Sequence, residues 1–351
     1  MEDIFKKMDE YSHEQLIFYR NKDIDLKAII ALHDSFDKPS LGGTRIYPYE
    51  TIDKAVEDVL RLSSSMSLKC ALAGVDFVGG KMVVIGEKKS KEMFRLIGKF
   101  IEGLNGKFFT GTDMGTLPED FVVASYESKY IVGLPLEYGG SGDTSIFTAL
   151  GVVLGMKATC KYLWKDSSLN GKLVAIQGLG KVGFKVLRLL LKEKASCIVT
   201  DINEARLKDA RKLQALGNIQ IVEPEEIYKV SCDIFSPCSI GGILNRETVN
   251  LLKCKAIVGS ANDQLEDKDV LKLLKAKKIL YAPDYVVNLG GLIQVAQEIK
   301  GFSFSNVRRK IRGIFDTLLK IYKLAEKKDI STCKASKEIA YNLKLKNAKK
   351  R

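Results

Sequence analysis

The chain has 351 residues, 46% of them hydrophobic, enough to bury two cores of ordinary size, so two domains are the starting expectation. Seven cysteines without a CxxC pair and only two histidines argue against a zinc site or a disulfide framework. Residues 1–7 lack the basic-then-apolar pattern of a leader and no run of 18 apolar residues occurs, so a cytoplasmic protein with no membrane partner is expected.

The formal charge of +13 would suit an anionic partner, yet lysine is spread along the whole chain. Only Lys334–Arg351 is concentrated, with seven Lys or Arg against the single Glu338. Without interleaved aromatics this reads as a solvated basic tail rather than a nucleic-acid arm. Cysteines such as Cys197, within the run Ala-Ser-Cys-Ile-Val-Thr, read as small core residues.

In chain order, Leu26–Leu32, Thr44–Tyr47 and Met82–Ile85 have the composition of strands. Ile52, Ala55, Val56, Val59 and Leu60 recur at helical spacing behind Thr51, a good N-cap. A mixed α/β domain over residues 1–140 follows. The cluster Gly-Gly-Ser-Gly-Asp-Thr-Ser at 139–145 then forms a loop, where the spacing predicts a hinge.

Six apolar runs of strand length follow, at Leu173–Gln177, Cys197–Thr200, Ile219–Val222, Asp233–Phe235, Ala256–Val258 and Ile279–Tyr281. With helical segments between them they describe a doubly wound parallel sheet over 141–325. Val307, Ile311, Ile314, Phe315, Leu318, Leu319 and Tyr322 repeat at helical spacing. A further helix around Ile339 closes the chain, in a segment 326–351 that ends in the basic tail. The fold class expected is therefore α/β: a mixed N-terminal domain, a Rossmann domain, and C-terminal helices packing back.

Gly178-Leu179-Gly180-Lys181-Val182-Gly183 stands directly after the first of those six strands and opens a helix. Gly178 would permit the tight turn, Gly180 the approach of backbone to a pyrophosphate, and Gly183 close helix packing. The helix N-terminus would face the anion. The next strand ends at Asp201, twenty-three residues after Gly178, followed by Ile202. An acid there accepts from an unphosphorylated ribose and repels a 2′-phosphate, so NAD is expected over NADP.

In the N-terminal domain Lys69 sits in an apolar stretch and Lys81 follows Gly79-Gly80. Lys69 is read equally well as a lysine whose stem covers core or as one that pairs with a ligand. Beside paired glycines, which allow close backbone approach to a ligand, a desolvated Lys81 could serve as a base. Asp113, in the glycine-flanked run 110–116, could exchange protons with it.

These motifs together resemble the glutamate/leucine/phenylalanine/valine dehydrogenase family. The resemblance runs through Gly42-Gly43-Thr44-Arg45, Lys69, Val75–Lys81, Asp113, Gln177–Gly183, Thr200–Asn203, Pro237-Cys238, Gly259–Asn262 and Tyr281–Tyr285, in that order. Its phenylalanine-deaminating members are those the runs 108–116, 137–143 and 290–296 resemble most.

The resemblance implies NAD-dependent, reversible deamination of a phenylalanine-like L-amino acid to its 2-oxo acid and ammonia, in a homo-oligomer. It implies Lys69 gripping the substrate carboxylate, with Gly42, Gly43 and Asn262 completing that pocket. Lys81 would activate the attacking water and Asp113 would relay protons. Asn262 would also approach the cofactor, alongside Lys181 and Val182 of the glycine turn.

Gly111 and Leu292 stand where the family's aromatic-acting members carry glycine and leucine, a missing methyl making room for a ring. Lys129 stands where asparagine is frequent near the far end of the ring, so a cation there would favour a phenolic or acidic side chain or point to solvent. Three departures are Val78 for glycine, Asp263 for asparagine, and Ser63-Ser64-Ser65 before Lys69. Competing readings are a leucine- or tyrosine-preferring enzyme and a homologue that kept the fold and lost turnover.

Overall fold

The computed structural model describes residues 3–33 and 38–348. Two compact units divide the chain: residues 1–143 with 294–303, and 144–293 with 304–351. The short return at 294–303, counted from the sequence with the second domain, is held in the first unit by hydrogen bonds. Glu298 accepts from Gly133 N (3.0 Å) and from Ser141 N and Oγ (2.9 and 2.6 Å), and Gln294 donates to Ser141 O (2.7 Å).

The first unit contains α1 (Ile4–Glu10), β1 (Gln15–Asn21), β2 (Leu26–Leu32), β3 (Ser40–Tyr47), α2 (Ile52–Ala73), β4 (Val78–Ile85), α3 (Lys91–Gly103), β5 (Phe108–Thr112) and α4 (Pro118–Ser125). Its sheet runs in the order β1-β2-β4-β3-β5, antiparallel at β1, β2 and β4 and parallel from β4 to β5. Both faces are covered. Ala28, Ile30 and Leu32 join a core with Phe94, Ile97 and Phe121 of α3 and α4, while Ile29, Ala31 and Val83 pack on Ala55, Val56, Val59 and Leu60 of α2. This two-sided burial is why Leu26–Leu32 reads as a nearly unbroken apolar run.

Thr51 caps α2, its hydroxyl accepting from Lys54 N (3.2 Å), and the helix ends at Gly74 in the left-handed region (φ 61°). Ile52, expected on the buried stripe, is exposed because it precedes the turn that first reaches the sheet. Strand β4 begins at Val78, so Gly79-Gly80-Lys81 is sheet interior rather than a loop open to a ligand.

The second unit contains α5 (Ser145–Trp164), β6 (Leu173–Gln177), α6 (Gly183–Lys192), β7 (Ser196–Thr200), α7 (Glu204–Arg211), β8 (Ile219–Ile221), β9 (Ile234–Pro237), α8 (Arg246–Leu251), β10 (Ala256–Ile257), α9 (Val270–Ala276), β11 (Leu280–Tyr281), α10 (Asp284–Val287), the start of α11 (Gly290–Glu298), α12 (Phe304–Lys328) and α13 (Thr332–Ala348). Its six strands are all parallel in the order β11-β10-β9-β6-β7-β8, the doubly wound arrangement.

Helix α12 packs back on α5, where Tyr322 Oη lies 2.8 Å from Thr159 Oγ1, and α13 is tied by Tyr285 Oη to Ser336 Oγ (2.7 Å). Among the described residues α5 alone is long and apolar enough to cross a membrane, and it is a core helix of this unit with 56% of that stretch buried. The basic segment at Lys334–Arg351 is helical as far as Ala348, and residues 349–351 lie outside the described residues. Burial pushes the thiols of Cys197, Cys232 and Cys254 up to about 12, as suits core cysteines.

Candidate active site

In the first unit the chemistry gathers where β4, β3 and the segment after β5 meet. Lys81 shares with Val83 the face of β4 toward α2 and is 3% exposed. Its ammonium is paired with the Asp113 carboxylate. Burial lowers the Lys81 pKa; Asp113 opposes that shift, and the cations of Arg45 and Lys69 add to it. Burial would raise the Asp113 pKa, but Lys81, the Met114 N–H (2.6 Å) and Arg45 outweigh it and hold the carboxyl at about 2. Asp113 is therefore an anion at neutral pH.

Arg45, on β3, is the member that the sequence reading quoted in a motif without giving it a role. Its Nε reaches Asp113 Oδ1 (3.3 Å) and its Nη1 reaches Asp58 Oδ2 (2.8 Å), which also accepts from Tyr49 Oη (2.6 Å). An arginine inside a strand flanked by buried Thr44 and Ile46 was the available signal. The loop carrying Asp113 is closed by Thr116, whose Oγ1 accepts from Asp113 N and donates to Asp113 O, both at 2.8 Å.

The glycines are there for backbone packing. A Cβ on Gly43 would stand 2.6 Å from Thr112 O and 3.0 Å from the Asp113 Cβ, and one on Gly42 would overlap Gly80 O. At Gly79 it would strike the α2 backbone at Ser63 and Ser67, and at Gly80 the Phe108 ring, so these two admit neighbouring elements rather than a ligand. Gly111 departs from its sequence reading in the same way. A methyl there would meet Val132 O at 2.3 Å, so the glycine admits the Ile131–Val132 segment instead of leaving open space.

Lys69, on α2, is half-buried and close enough for its charge to act on Lys81. Among the described residues no contact draws Lys129 into this cluster. It is exposed, its ammonium 5.4 Å from the centroid of the Tyr130 ring, at the edge of a cavity of about 700 Å³ lined also by Phe109, Val132 and Tyr138.

In the second unit the strand order reverses between β6 and β9, the usual crevice for a dinucleotide. Gly178 takes φ 93°, Gly183 has no room for a Cβ (Gly178 O at 2.0 Å), and Gly180 faces open space. Val182 precedes α6 without a side-chain cap, so the positive end of the helix is offered to an anion, although Phe184 N already donates to Gly180 O (3.1 Å). Lys181 is exposed. Gln177 Oε1 and Thr200 Oγ1, at the strand ends beside the turn, are buried with no protein partner. Such a cradle fits a dinucleotide.

Asp201 is buried against the turn, accepting from Leu179 N (2.6 Å) and Asn203 N (2.8 Å), with Arg206 Nη1 at 3.3 Å. Arg206 Nη1 lies 3.5 Å from the other carboxylate oxygen as well, so a ribose hydroxyl would bind there by replacing an Arg206 contact. Ile202 beyond it is 92% exposed. Asn262 is exposed and accepts from Asn288 Nδ2 (2.8 Å), a partner the sequence reading did not name. Asp263 takes φ 48°, a conformation that asparagine and aspartate both tolerate, which accounts for the exchange there. Leu292 is half-buried on α11.

Family profiles match both parts of the chain: "Glu/Leu/Phe/Val dehydrogenase, dimerisation domain" at residues 13–132, and "Glutamate/Leucine/Phenylalanine/Valine dehydrogenase" at 199–351. Phenylalanine dehydrogenase of Thermoactinomyces intermedius is 52% identical over 97% of this chain and 93% of its own. Leucine dehydrogenase of the same organism is 43% identical over 96% and 92%. The crystal structure of L-tryptophan dehydrogenase from Nostoc punctiforme superposes with a TM-score of 0.89 at 38% identity, over 99% of this chain and all of that one. With its buried lysine–aspartate pair, its glycine turn and these relatives, the chain belongs to the glutamate/leucine/phenylalanine/valine dehydrogenase family and is an amino-acid dehydrogenase.

Proposed function

We propose that the chain deaminates L-phenylalanine, or a close aromatic analogue, to its 2-oxo acid and ammonia with NAD as oxidant, and runs the reverse reaction as well. The observation that carries the chemistry is Lys81: buried, paired with an anionic Asp113, and pushed toward its neutral form by burial and by Arg45 and Lys69. The aromatic preference rests on the 52% identical phenylalanine dehydrogenase, against 43% for the leucine enzyme.

Gly178, Gly180, Gly183 and Asp201 would hold NAD, which would supply the hydride acceptor. In the first unit Lys69 binds the substrate carboxylate by charge. Loss of hydride from the substrate Cα leaves an imine, and Lys81 in its amine form takes a proton from the water that adds to the imine carbon. Lys81 returns that proton to the nitrogen and takes the proton of the new hydroxyl as the C–N bond breaks, so the carbonyl of the 2-oxo acid forms, ammonia leaves and one proton passes on to solvent. With its carboxyl held at about 2, Asp113 serves this scheme better as the anion that orients Lys81 than as a proton carrier.

NADH formation from a panel of L-amino acids, with NADP as the alternative cofactor, tests this reading. Phenylalanine is expected to exceed leucine. A preference for leucine would overturn the aromatic assignment, and no turnover with any amino acid would overturn the catalytic one. From the dimerisation-domain profile over residues 13–132 a homo-oligomer is proposed, which light scattering checks.

A further inference from the structure

The two histidines of this chain are both buried, and neither takes part in the chemistry above. His13 lies between α1 and β1, His33 directly after β2, and their rings meet edge to face with centroids 4.7 Å apart. Each reaches a buried serine of α2: His13 Nε2 is 2.6 Å from Ser63 Oγ, and His33 Nδ1 is 2.9 Å from Ser67 Oγ.

Ser67 Oγ also accepts from Gly79 N at 2.7 Å, while Gly79 O accepts from His33 N at 2.9 Å. Residue Gly79 is thus held at its N–H, at its carbonyl and at its absent side chain, where the α2 backbone stands 2.0 Å from a Cβ position. The serine hydroxyl can receive the Gly79 N–H and still donate its own proton to His33 Nδ1, the arrangement in which that ring nitrogen is bare.

We propose that His33 and Ser67 are positioning residues for the two active-site lysines. Gly79 lies two residues before Lys81 on the same face of β4, and Ser67 lies two residues before Lys69 within one turn of α2. The closed triangle of His33, Ser67 and Gly79 joins those two points directly, so it fixes how far the Lys69 charge stands from the Lys81 amine. His13 on Ser63 secures the preceding turn of the same helix. Ser63, which departs from the family pattern, thereby has a use.

Among the described residues, Asp113, Arg45 and Lys69 face Lys81, and Ser67 and His13 face His33. Loosening the clamp weakens the repulsion from Lys69 on α2 and admits water beside the amine. Both changes move Lys81 back toward an ordinary lysine. The inference rests on the roles proposed above for Lys69 and Lys81.

The test is the pH dependence of kcat/KM for L-phenylalanine in wild type, His33→Ala, Ser67→Ala and His33→Asn, with thermal unfolding of each. Asparagine can present its side-chain oxygen where Nδ1 stood. For both alanine variants the acid limb is expected to move to higher pH, with KM for the amino acid raised and kcat/KM lowered about ten- to a hundredfold, the scale of a misplaced catalytic group. His33→Asn should recover most of the loss.

Alanine variants with a lower Tm but an unmoved acid limb and KM would overturn the inference, as would His33→Asn behaving like His33→Ala. Should His33→Ala not fold, Ser67→Ala and His33→Asn decide the matter. Failure of the underlying reading looks different: Lys81→Ala would be as active as wild type, or wild type would turn over no amino acid.

Discussion

Lys81 and Asp113 show how a residue's surroundings decide its chemistry. A lysine in open solvent stays protonated at neutral pH; in a sheet interior, with two other cations near, its charged form is disfavoured and Asp113 supports it. Lys81→Ala is therefore expected to lose kcat by about 10²–10⁴-fold while NADH still binds, measured by steady-state kinetics and by fluorescence titration of the nucleotide. Lys69→Ala should act chiefly on KM for the amino acid. Near-normal kinetics in both would remove the catalytic scheme.

Asp201 belongs to the same scale. Its carboxylate pins the glycine turn through Leu179 N and sits beside Arg206. Wild type should favour NAD over NADP by at least about tenfold in kcat/KM, from like charge at a 2′-phosphate. In Asp201→Ala, Arg206 is left without that carboxylate and available to a phosphate, so the ratio should shift toward NADP even as both activities fall. Equal use of the two cofactors by wild type would show that Asp201 does not read the ribose.

At the scale of elements, the packing of strands on the segments that follow them sets the shape of the substrate unit. Gly111 on β5 is glycine because Val132 O would stand 2.3 Å from a side-chain methyl. Gly111→Ala must push the Ile131–Val132 segment away, an overpacking change of about 1–3 kcal/mol. A lower Tm is expected, together with altered turnover of phenylalanine and leucine, because Val132 moves. An alanine variant with unchanged Tm would show that the segment yields freely. Glu298 holds the other end of that stretch through Gly133 and Ser141, so segment 131–141 is fixed from two sides.

The whole molecule carries a pH dependence from a buried histidine, His13. Burial, with the neighbouring His33 adding to it, lowers the His13 pKa from 6.5 to about 4. The unfolded chain then binds a proton at a higher pH than the folded one, so folding stability rises with pH across that window. It is lost as pH falls from about 6.5 toward about 4. Denaturant unfolding between pH 4 and 7 checks this, with His13→Gln expected to flatten the slope. An unchanged slope in that variant would place the titration elsewhere.

Much of this architecture is written locally. The six strand runs of the second unit, the cap at Thr51, the glycine turn and the apolar stripe of α12 depend on residues near in sequence, whose periodicity and turn chemistry act before any long-range contact forms. Elements with mixed surroundings were not legible that way: β1 is an edge strand carrying polar residues, β5 contains Gly111, and β4 starts earlier than its apolar run because Gly79 and Gly80 have no hydropathy to show.

The sequence by itself determined the family, the fold class and the residue types of the chemistry, because ordered motifs and strand–turn–helix patterns are local properties of the chain. Only the tertiary structure decided how those residues meet. It placed Arg45 on Asp113, turned Lys129 to the surface, filled the space beside Gly111 with Val132, and joined two distant histidines to α2. Each of these depends on groups far apart in the chain, where burial and a partner's charge are fixed by packing and leave no periodic trace in the sequence.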